Sequence, residues 1–277
     1  MQTSPLTKSF GIRIDGIDLS QPLGGKEFAQ LRDLWMEHRV AVIPGQNLDD
    51  DQLVAFTERF GPLFVHAQTS LLTGYKRKEV MELSTLDGAA RPADYELDWH
   101  TDQTYTLKPV FGTILYGIVA PKAGGQTLFS DLAGAYASLP KDLRRQVDGV
   151  TAVYSAEPRP KVRDTPLTKE ERARILDCTH PLIRTHPHLK RKAVYLSPLH
   201  IKTIGGLSEA ESLDLLRDLT DHATSDAHLY RHTWSVGDLV MWDNTSVMHS
   251  RTPMPAGEKR YLKRTGFYLP DELAVPF

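Results

Sequence analysis

The segments LYRHTW (229–234), DLVMWD (238–243) and RYLKRTGFYL (260–269) decide the predicted fold. Each is rich in aromatic and aliphatic residues, and such short segments are typical of strands. They follow one another with no helical pattern between them. A parallel βαβ sheet places a helix between successive strands, so this order argues against one and favours a mainly β core.

Helical patterns occur mainly earlier in the chain and in insertions. Predicted helices cover KEFAQLRDLWMEH (26–38), a segment capped by Asp49–Asp51 and running to Phe60, two short pieces of 132–147 separated by Pro140, and 208–222. Further strands are predicted at VAVIP (40–44), at VFGTILYGIV (110–119) and as a pair within 181–196. We therefore expect a mixed α/β protein whose mainly β core is a jelly roll, or double-stranded β-helix, flanked by helices. No linker or repeat divides the chain, so one domain over residues 1–277 is expected.

Composition excludes several classes of protein. The chain has 277 residues, 40% hydrophobic and 25% charged, as in ordinary globular proteins. A formal net charge of -2 gives no general attraction to nucleic acid or to anionic membranes. The single cysteine, Cys178, excludes an intrachain disulfide and fits a reducing compartment. With no signal-like start and no apolar run of membrane length, a cytoplasmic protein is expected.

A short motif, Trp99-His100-Thr101-Asp102, is matched far downstream by His249. On extended backbone, residues two apart point to one face, so His100 and Asp102 can bind the same ion. Two histidines and one carboxylate form the facial triad of non-haem Fe(II) oxygenases, which leaves coordination positions open for co-substrate and oxygen. The motif alone also fits polar surface residues near a turn.

Two arginines strengthen the metal interpretation. On a strand over 260–264, alternation places Arg260 and Arg264 on one face with Leu262. Guanidinium groups facing a barrel interior are costly unless each meets an anion, and their planar fork suits carboxylates. The alternative is an outward-facing basic strand.

The chain resembles the taurine dioxygenase and 2,4-dichlorophenoxyacetate dioxygenase family of Fe(II)/2-oxoglutarate-dependent oxygenases. The similar segments are RVAVIPGQ (39–46), RFGPL (59–63), WHTDQTY (99–105), APKAGGQTLFSDLAGAYASLP (120–140), HPLIRTHPHLKRKAVYL (180–196), GDLVMWDNTSVMH (237–249) and RYLKRT (260–265). This resemblance implies a jelly-roll dioxygenase that uses Fe(II), 2-oxoglutarate and O2, hydroxylates its substrate, and releases succinate and CO2. It also implies a homo-oligomer, either a dimer or a tetramer.

The resemblance assigns roles to individual residues. It implies that His100, Asp102 and His249 bind iron, and that Arg260, eleven residues after the last ligand, holds the distal carboxylate of 2-oxoglutarate with help from Thr127. Related halogenases have a small residue in place of the carboxylate ligand, so the presence of Asp102 disfavours halogenation.

Substrate contacts follow less directly. The resemblance implies that Arg264 meets the anionic group of the substrate, which indicates a small anionic molecule: a carboxylate such as an aryloxyalkanoate, or a sulfonate such as taurine. His66 and Tyr105 are further candidates, although a surface histidine and a core aromatic are equally good interpretations. If the hydroxylated carbon carries a heteroatom, the product collapses with bond cleavage.

Other interpretations stay open at this point. A zinc hydrolase could use the same triad, but it gives Arg260 and Thr127 no purpose, and a jelly-roll binding protein without catalysis is also possible. The charged stretch 157–177 is either an active-site lid or a solvated loop. Side chains expected only to shape the scaffold or the adjacent turns are Trp99, Trp242, Asp243 and Asn244, and no metal role is expected for His186 or His188.

Overall fold

The computed structural model describes residues 1–65, 77–86, 97–156 and 177–270. Its helices are α1 (Gly25–His38), α2 (Asp50–Glu58), α3 (Leu132–Ala137), α4 (Lys141–Val147) and α5 (Glu209–Ala223). Its strands are β1 (Gln2–Pro5), β2 (Ile12–Asp15), β3 (Val40–Ile43), β4 (Met81–Ser84), β5 (Leu97–His100), β6 (Gly112–Val119), β7 (Thr127–Asp131), β8 (Thr151–Tyr154), β9 (Cys178–Pro181), β10 (Ile183–Thr185), β11 (Lys192–Val194), β12 (Ile201–Ile204), β13 (Leu229–His232), β14 (Leu239–Asp243), β15 (Val247–Arg251) and β16 (Tyr261–Phe267).

Two sheets carry the centre of the fold. The larger has seven strands in the order β1-β2-β3-β14-β6-β16-β4, and the smaller has four in the order β13-β7-β15-β5. Apart from the parallel pair β2 and β3, their neighbouring strands run antiparallel. This agrees with the absence of helices between the late strands of the sequence.

Side-chain alternation along the central strands divides the core. Val240 and Trp242 of β14 pack in one cluster with Phe129 and Val247 from the four-stranded sheet. Their neighbours on β14, Leu239 and Met241, face the other way and pack with residues of α1 and α2. Since successive strand residues point to opposite faces, the seven-stranded sheet is covered by helices on one side and by the four-stranded sheet on the other.

The helices agree closely with the sequence prediction. Asp49 caps α2: its carboxylate accepts from the Gln52 backbone N–H at 2.8 Å, and the Gln52 side chain accepts in return. Pro140 separates α3 from α4, as predicted. α5 closes a second core with α3 and β12. Helix α2 ends two residues before the predicted Phe60.

One strand prediction is confirmed and another needs correction. The two strands predicted within 181–196 are β10 and β11, which pair antiparallel across the turn between them. Arg260 lies just before β16 rather than within it, since pairing with β6 begins at Tyr261. The fold class is mixed α/β with mostly sheet content, as predicted. In the described ranges, no helix combines the length and apolar character of a membrane span.

Candidate metal centre and active site

His100 and His249 are direct neighbours across two antiparallel strands. They are register partners between β5 and β15, and their ring centroids are 4.1 Å apart. Residues directly opposite each other on antiparallel strands have their side chains on the same face of the sheet. A local motif and a residue about 150 positions away are thus brought together by strand pairing alone.

Asp102 lies two residues beyond the end of β5 and completes the cluster. Its Oδ1 is 3.8 Å from Nε2 of His100 and 3.9 Å from Nε2 of His249. One ligand atom from each of the three residues lies within 4.8 Å of the others, and all three residues are buried. The predicted residues therefore converge.

The two imidazoles are held in the neutral form that a metal requires. Nδ1 of His100 lies 2.8 Å from the Asp98 carbonyl, so this nitrogen donates and Nε2 keeps its lone pair for a ligand. Burial, reinforced by the neighbouring His249, lowers the pKa of His100 to about 3. Burial also lowers the pKa of His249 to about 4. Neither group needs to lose a proton at neutral pH before it binds a cation.

The Asp102 carboxylate is held ionised despite its burial. Burial favours the neutral acid, but the Arg264 guanidinium lowers the pKa of Asp102 well below its usual range. Nη2 of Arg264 is 2.8 Å from Oδ1 of Asp102. A hydrogen bond from the Thr113 hydroxyl to Oδ2, 2.7 Å long, acts in the same direction.

This donor set fits a divalent transition metal. It offers two neutral imidazole nitrogens and one carboxylate oxygen, all buried and converging, with no fourth His, Cys, Asp or Glu joining them among the described residues. Such a two-histidine, one-carboxylate set suits Fe(II) and leaves positions open.

A second candidate site lies where the chain enters β16. Arg260 is buried, and its Nη2 lies 3.4 Å from the hydroxyl of Thr127. The guanidinium is 5.7 Å from the centroid of the Trp234 ring, within cation–π distance. The Trp234 indole N–H also donates to Thr127, at 3.0 Å. Arg260, Thr127 and Trp234 form what we call the arginine pocket.

The arginine pocket is suited to an anion. Within the described ranges no carboxylate forms an ion pair with Arg260, and its Nε has no hydrogen-bond partner. Burial, with a smaller contribution from Arg251, lowers the pKa of Arg260 to about 9. A buried cation in this state is stabilised by any carboxylate that enters.

The remaining predicted contacts have different outcomes. Tyr105 is half-buried, accepts a hydrogen bond from the Gln103 amide at 2.9 Å and packs edge-on against His200. His66 and residues 157–176 lie outside the described residues. Cys178 is buried and forms no disulfide.

The scaffold predictions can be checked directly. The Trp242 ring packs 4.6 Å from that of His249, and Trp99 packs at the edge of the second core. Asp243 accepts hydrogen bonds from the Thr245 and Ser246 side chains, which shapes the turn before β15. Nε2 of His186 lies 3.3 Å from Oδ2 of Asp243, and neither His186 nor His188 joins the metal cluster.

Sequence reasoning missed Thr113 and Trp234. Thr113 lies within a buried strand, where a threonine fits the strand composition and attracts no attention. Trp234 falls at the end of a predicted strand, and only its proximity to Thr127 in space gives it a role. Thr113 could be found only from the pairing of β6 with β14, and Trp234 only from the pairing of β13 with β7.

Comparison with known proteins agrees with this geometry. Residues 2–265 match the taurine catabolism dioxygenase TauD, TfdA family. An alpha-ketoglutarate-dependent 2,4-dichlorophenoxyacetate dioxygenase of Cupriavidus pinatubonensis is 34% identical over 94% of this chain and 95% of its own length. A (S)-phenoxypropionate/alpha-ketoglutarate-dioxygenase of Sphingobium herbicidovorans is 32% identical over 94% and 92%, respectively.

A solved structure has the same fold. The crystal structure of AAD-2 in complex with Mn(II) and N-oxalylglycine aligns with a TM-score of 0.83 and 28% identity, covering 98% of both chains. The alignments span almost the whole chain, and the match extends through both parts of the metal cluster. By sequence and by fold, the chain belongs to the TauD/TfdA family and is an Fe(II)- and 2-oxoglutarate-dependent dioxygenase.

Proposed function

We propose that this dioxygenase hydroxylates a small anionic organic molecule and releases succinate and CO2 from 2-oxoglutarate. The substrate is a carboxylate such as an aryloxyalkanoate, or a sulfonate such as taurine. The observation that carries this proposal is the position of Arg264, whose guanidinium lies 2.8 Å from the Asp102 carboxylate. An anion that binds the other N–H donors of Arg264 is then held beside the metal ligands.

The two relatives support the carboxylate class first. Both are named for aryloxyalkanoates, 2,4-dichlorophenoxyacetate and (S)-phenoxypropionate. Arginine does not distinguish a carboxylate from a sulfonate by charge, because its planar fork pairs with either anion. Fold likeness alone does not fix a substrate, so the choice depends on experiment.

In this proposal each part of the site has one task. His100, Asp102 and His249 hold Fe(II) and serve as the catalytic centre, while Arg260 and Thr127 hold the distal carboxylate of 2-oxoglutarate. Bound Fe(II), with 2-oxoglutarate and O2, supplies the oxidising chemistry: oxidative decarboxylation coupled to hydroxylation of a C–H bond.

The protein contributes position and exclusion of water. The rings of Trp242 and Phe129 lie 4.6 and 6.3 Å from that of His249 and cover the site from the apolar core. The substrate carbon that reacts is the one that Arg264 brings within reach of the centre. We infer that Tyr105 and His66 also contribute to substrate recognition. Bond cleavage follows only when the hydroxylated carbon carries a heteroatom.

The wider architecture belongs to the same proposal. We infer that the seven-stranded and four-stranded sheets are the two halves of a double-stranded β-helix, the jelly roll, because apolar residues of both meet in one cluster. Residues 1–277 then form one dioxygenase domain, which assembles as a dimer or tetramer and works in the cytoplasm.

Succinate release measures the substrate directly. The Fe(II)-loaded protein is given 2-oxoglutarate, O2 and one of three panels: aryloxyalkanoates, sulfonates or sulfate esters. We expect succinate formation matched by loss of an anionic substrate, highest with aryloxyalkanoates. If the uncharged methyl esters were consumed with as much succinate release as the free acids, the proposal that the substrate is an anion would be contradicted. The hydrolase alternative predicts loss of substrate without O2, so the same mixture under nitrogen distinguishes the two; we expect no loss of substrate there.

A further inference from the structure

The two oxygens of the Asp102 carboxylate have different surroundings. Oδ1 faces Nε2 of both His100 and His249, at 3.8 and 3.9 Å. Oδ2 points away from them and accepts a hydrogen bond from the hydroxyl of Thr113, at 2.7 Å. Oδ1, which also lies 2.8 Å from Nη2 of Arg264, therefore faces the two histidines, whereas the Thr113 hydroxyl engages Oδ2.

The direction of this hydrogen bond is set by two further residues. An indole N–H can only donate, so Trp242, 3.0 Å from Oδ1 of Asn244, fixes the orientation of the Asn244 amide. The Asn244 NH2 group then donates to the Thr113 hydroxyl oxygen at 2.9 Å. Because that oxygen already accepts, its single proton is directed to Asp102.

These side chains are rigidly placed. Thr113 and Trp242 are register partners on β6 and β14, and the backbone N–H of Asn244 donates to the Phe111 carbonyl at 2.8 Å. All three side chains are at most 1% exposed, so water does not compete for their hydrogen bonds. The backbone N–H of Asp102 also approaches Oδ1 of Asn244, at 3.4 Å. Asn244 thus contacts both the Thr113 hydroxyl and the backbone of the segment that carries Asp102.

We propose that Trp242, Asn244 and Thr113 form a donor relay that holds Asp102 as a ligand through one oxygen only. The inference rests on the proposed metal role of Asp102. Its consequence is chemical: a carboxylate that turned to bind through both oxygens would occupy a position that the chelating keto acid or O2 needs. Thr113 and Asn244 are positioning residues, since they act through Asp102 and reach the metal site only through it.

The chain provides a matched set of variants. Thr113→Val removes the hydroxyl and keeps the shape, whereas Thr113→Ser keeps the hydroxyl. Asn244→Leu removes the donor that orients the Thr113 hydroxyl, and so tests the residue that precedes Thr113 in the relay. Thr57→Val is the control, because Thr57 is an equally buried threonine of α2 whose hydroxyl bonds to the Leu53 carbonyl and to the Thr265 hydroxyl, each at 2.7 Å, and neither partner is a proposed metal ligand.

Binding of Co(II) to the metal-free protein, without any turnover, tests the relay. We expect Thr113→Val to weaken Co(II) binding about 10- to 100-fold, the usual effect of losing an outer partner of a ligand. Its visible Co(II) absorption should also change in intensity, since that absorption responds to the number of ligand atoms. We expect Thr113→Ser to restore both, Asn244→Leu to resemble Thr113→Val, and Thr57→Val to alter only the unfolding midpoint.

The outcomes separate this inference from the proposed function. Wild-type affinity and an unchanged Co(II) spectrum in both Thr113→Val and Asn244→Leu would overturn the relay and leave the metal site intact. Failure of the wild-type protein to bind Co(II) or Fe(II) would instead overturn the proposed function, and the relay with it.

Discussion

The hydroxyl oxygen of Thr127 lies 3.4 Å from Nη2 of Arg260, and it also accepts the indole N–H of Trp234 at 3.0 Å. An oxygen that accepts two hydrogen bonds has its own proton left to donate. Thr127 and Arg260 therefore present donors together, which is the arrangement that a carboxylate needs.

Replacing Arg260 should abolish tight binding of 2-oxoglutarate. Arg260→Gln removes the charge from a buried site, and we expect the Kd for 2-oxoglutarate to rise at least 100-fold, about 2.7 kcal/mol. Anaerobic titration of the Fe(II)-loaded protein measures it. Co(II) affinity should stay within about threefold of wild type, because Arg260 contacts none of the three ligands; an unchanged 2-oxoglutarate Kd would refute the assigned role.

Trp234 should affect 2-oxoglutarate through Thr127. Trp234→Phe keeps an aromatic ring near Arg260 but removes the indole donor, so the Thr127 proton is no longer directed outward. We expect a rise of about five- to tenfold in the Kd for 2-oxoglutarate, consistent with one neutral hydrogen bond of about 1 kcal/mol. If Thr127→Val causes the same loss and the double variant adds nothing more, the two residues act together; fully additive losses would argue against it.

Arg264 should select for the charge of the substrate. Arg264→Gln is expected to raise KM at least 30-fold for an aryloxyalkanoate, while the methyl ester of the same compound is turned over as in the wild type. Comparison of the two substrates controls for any effect on Asp102, which Arg264 also contacts. A similar loss with the ester would mean that Arg264 acts on the metal ligand rather than on the substrate.

The buried His180 should make stability depend on pH. Its Nε2 lies 3.0 Å from the Thr106 carbonyl, and burial, with help from Arg184, lowers its pKa to about 4. The unfolded chain, with a histidine pKa near 6.5, binds more protons between these two values. Stability is therefore complete above about pH 6.5 and is lost as pH falls towards 4.

The difference between wild type and His180→Gln isolates this contribution. Between pH 7 and pH 4.5, the free energy of unfolding of the wild type should fall by about 2 kcal/mol more than that of the variant, which keeps a donor for Thr106. Urea unfolding at the two pH values measures it. Parallel pH profiles for the two proteins would show that His180 is protonated equally in both states.

Much of the site follows from local patterns in the sequence. His100 and Asp102 are close because only one residue separates them, although Asp102 lies in the turn after β5. Strand alternation places Arg264 on the face of Leu262, whereas Arg260 lies before the strand and before a register shift at Tyr261–Leu262. These rules hold whatever the sheet order. The helix ends follow for the same reason, since Asp49 and Pro140 act within their own turns.

What the sequence could not provide is the pairing of distant strands. That His249 lies opposite His100 depends on the register between β15 and β5, and Trp234 reaches Thr127 only because β13 pairs with β7. The hydroxyl of Thr113 looks like any threonine of a buried strand until β6 is placed beside β14. The resemblance to a known family replaced this missing information for the ligands, but it said nothing of the residues behind them.

The convergence of His100, Asp102 and His249 on one ferrous ion is tested most directly by anaerobic addition of Fe(II) and 2-oxoglutarate to the metal-free protein. We predict a visible charge-transfer band that saturates at one Fe(II) per chain and is absent in His249→Ala. A wild-type protein that gives no band, or a His249→Ala variant that keeps it at full intensity, would contradict the account.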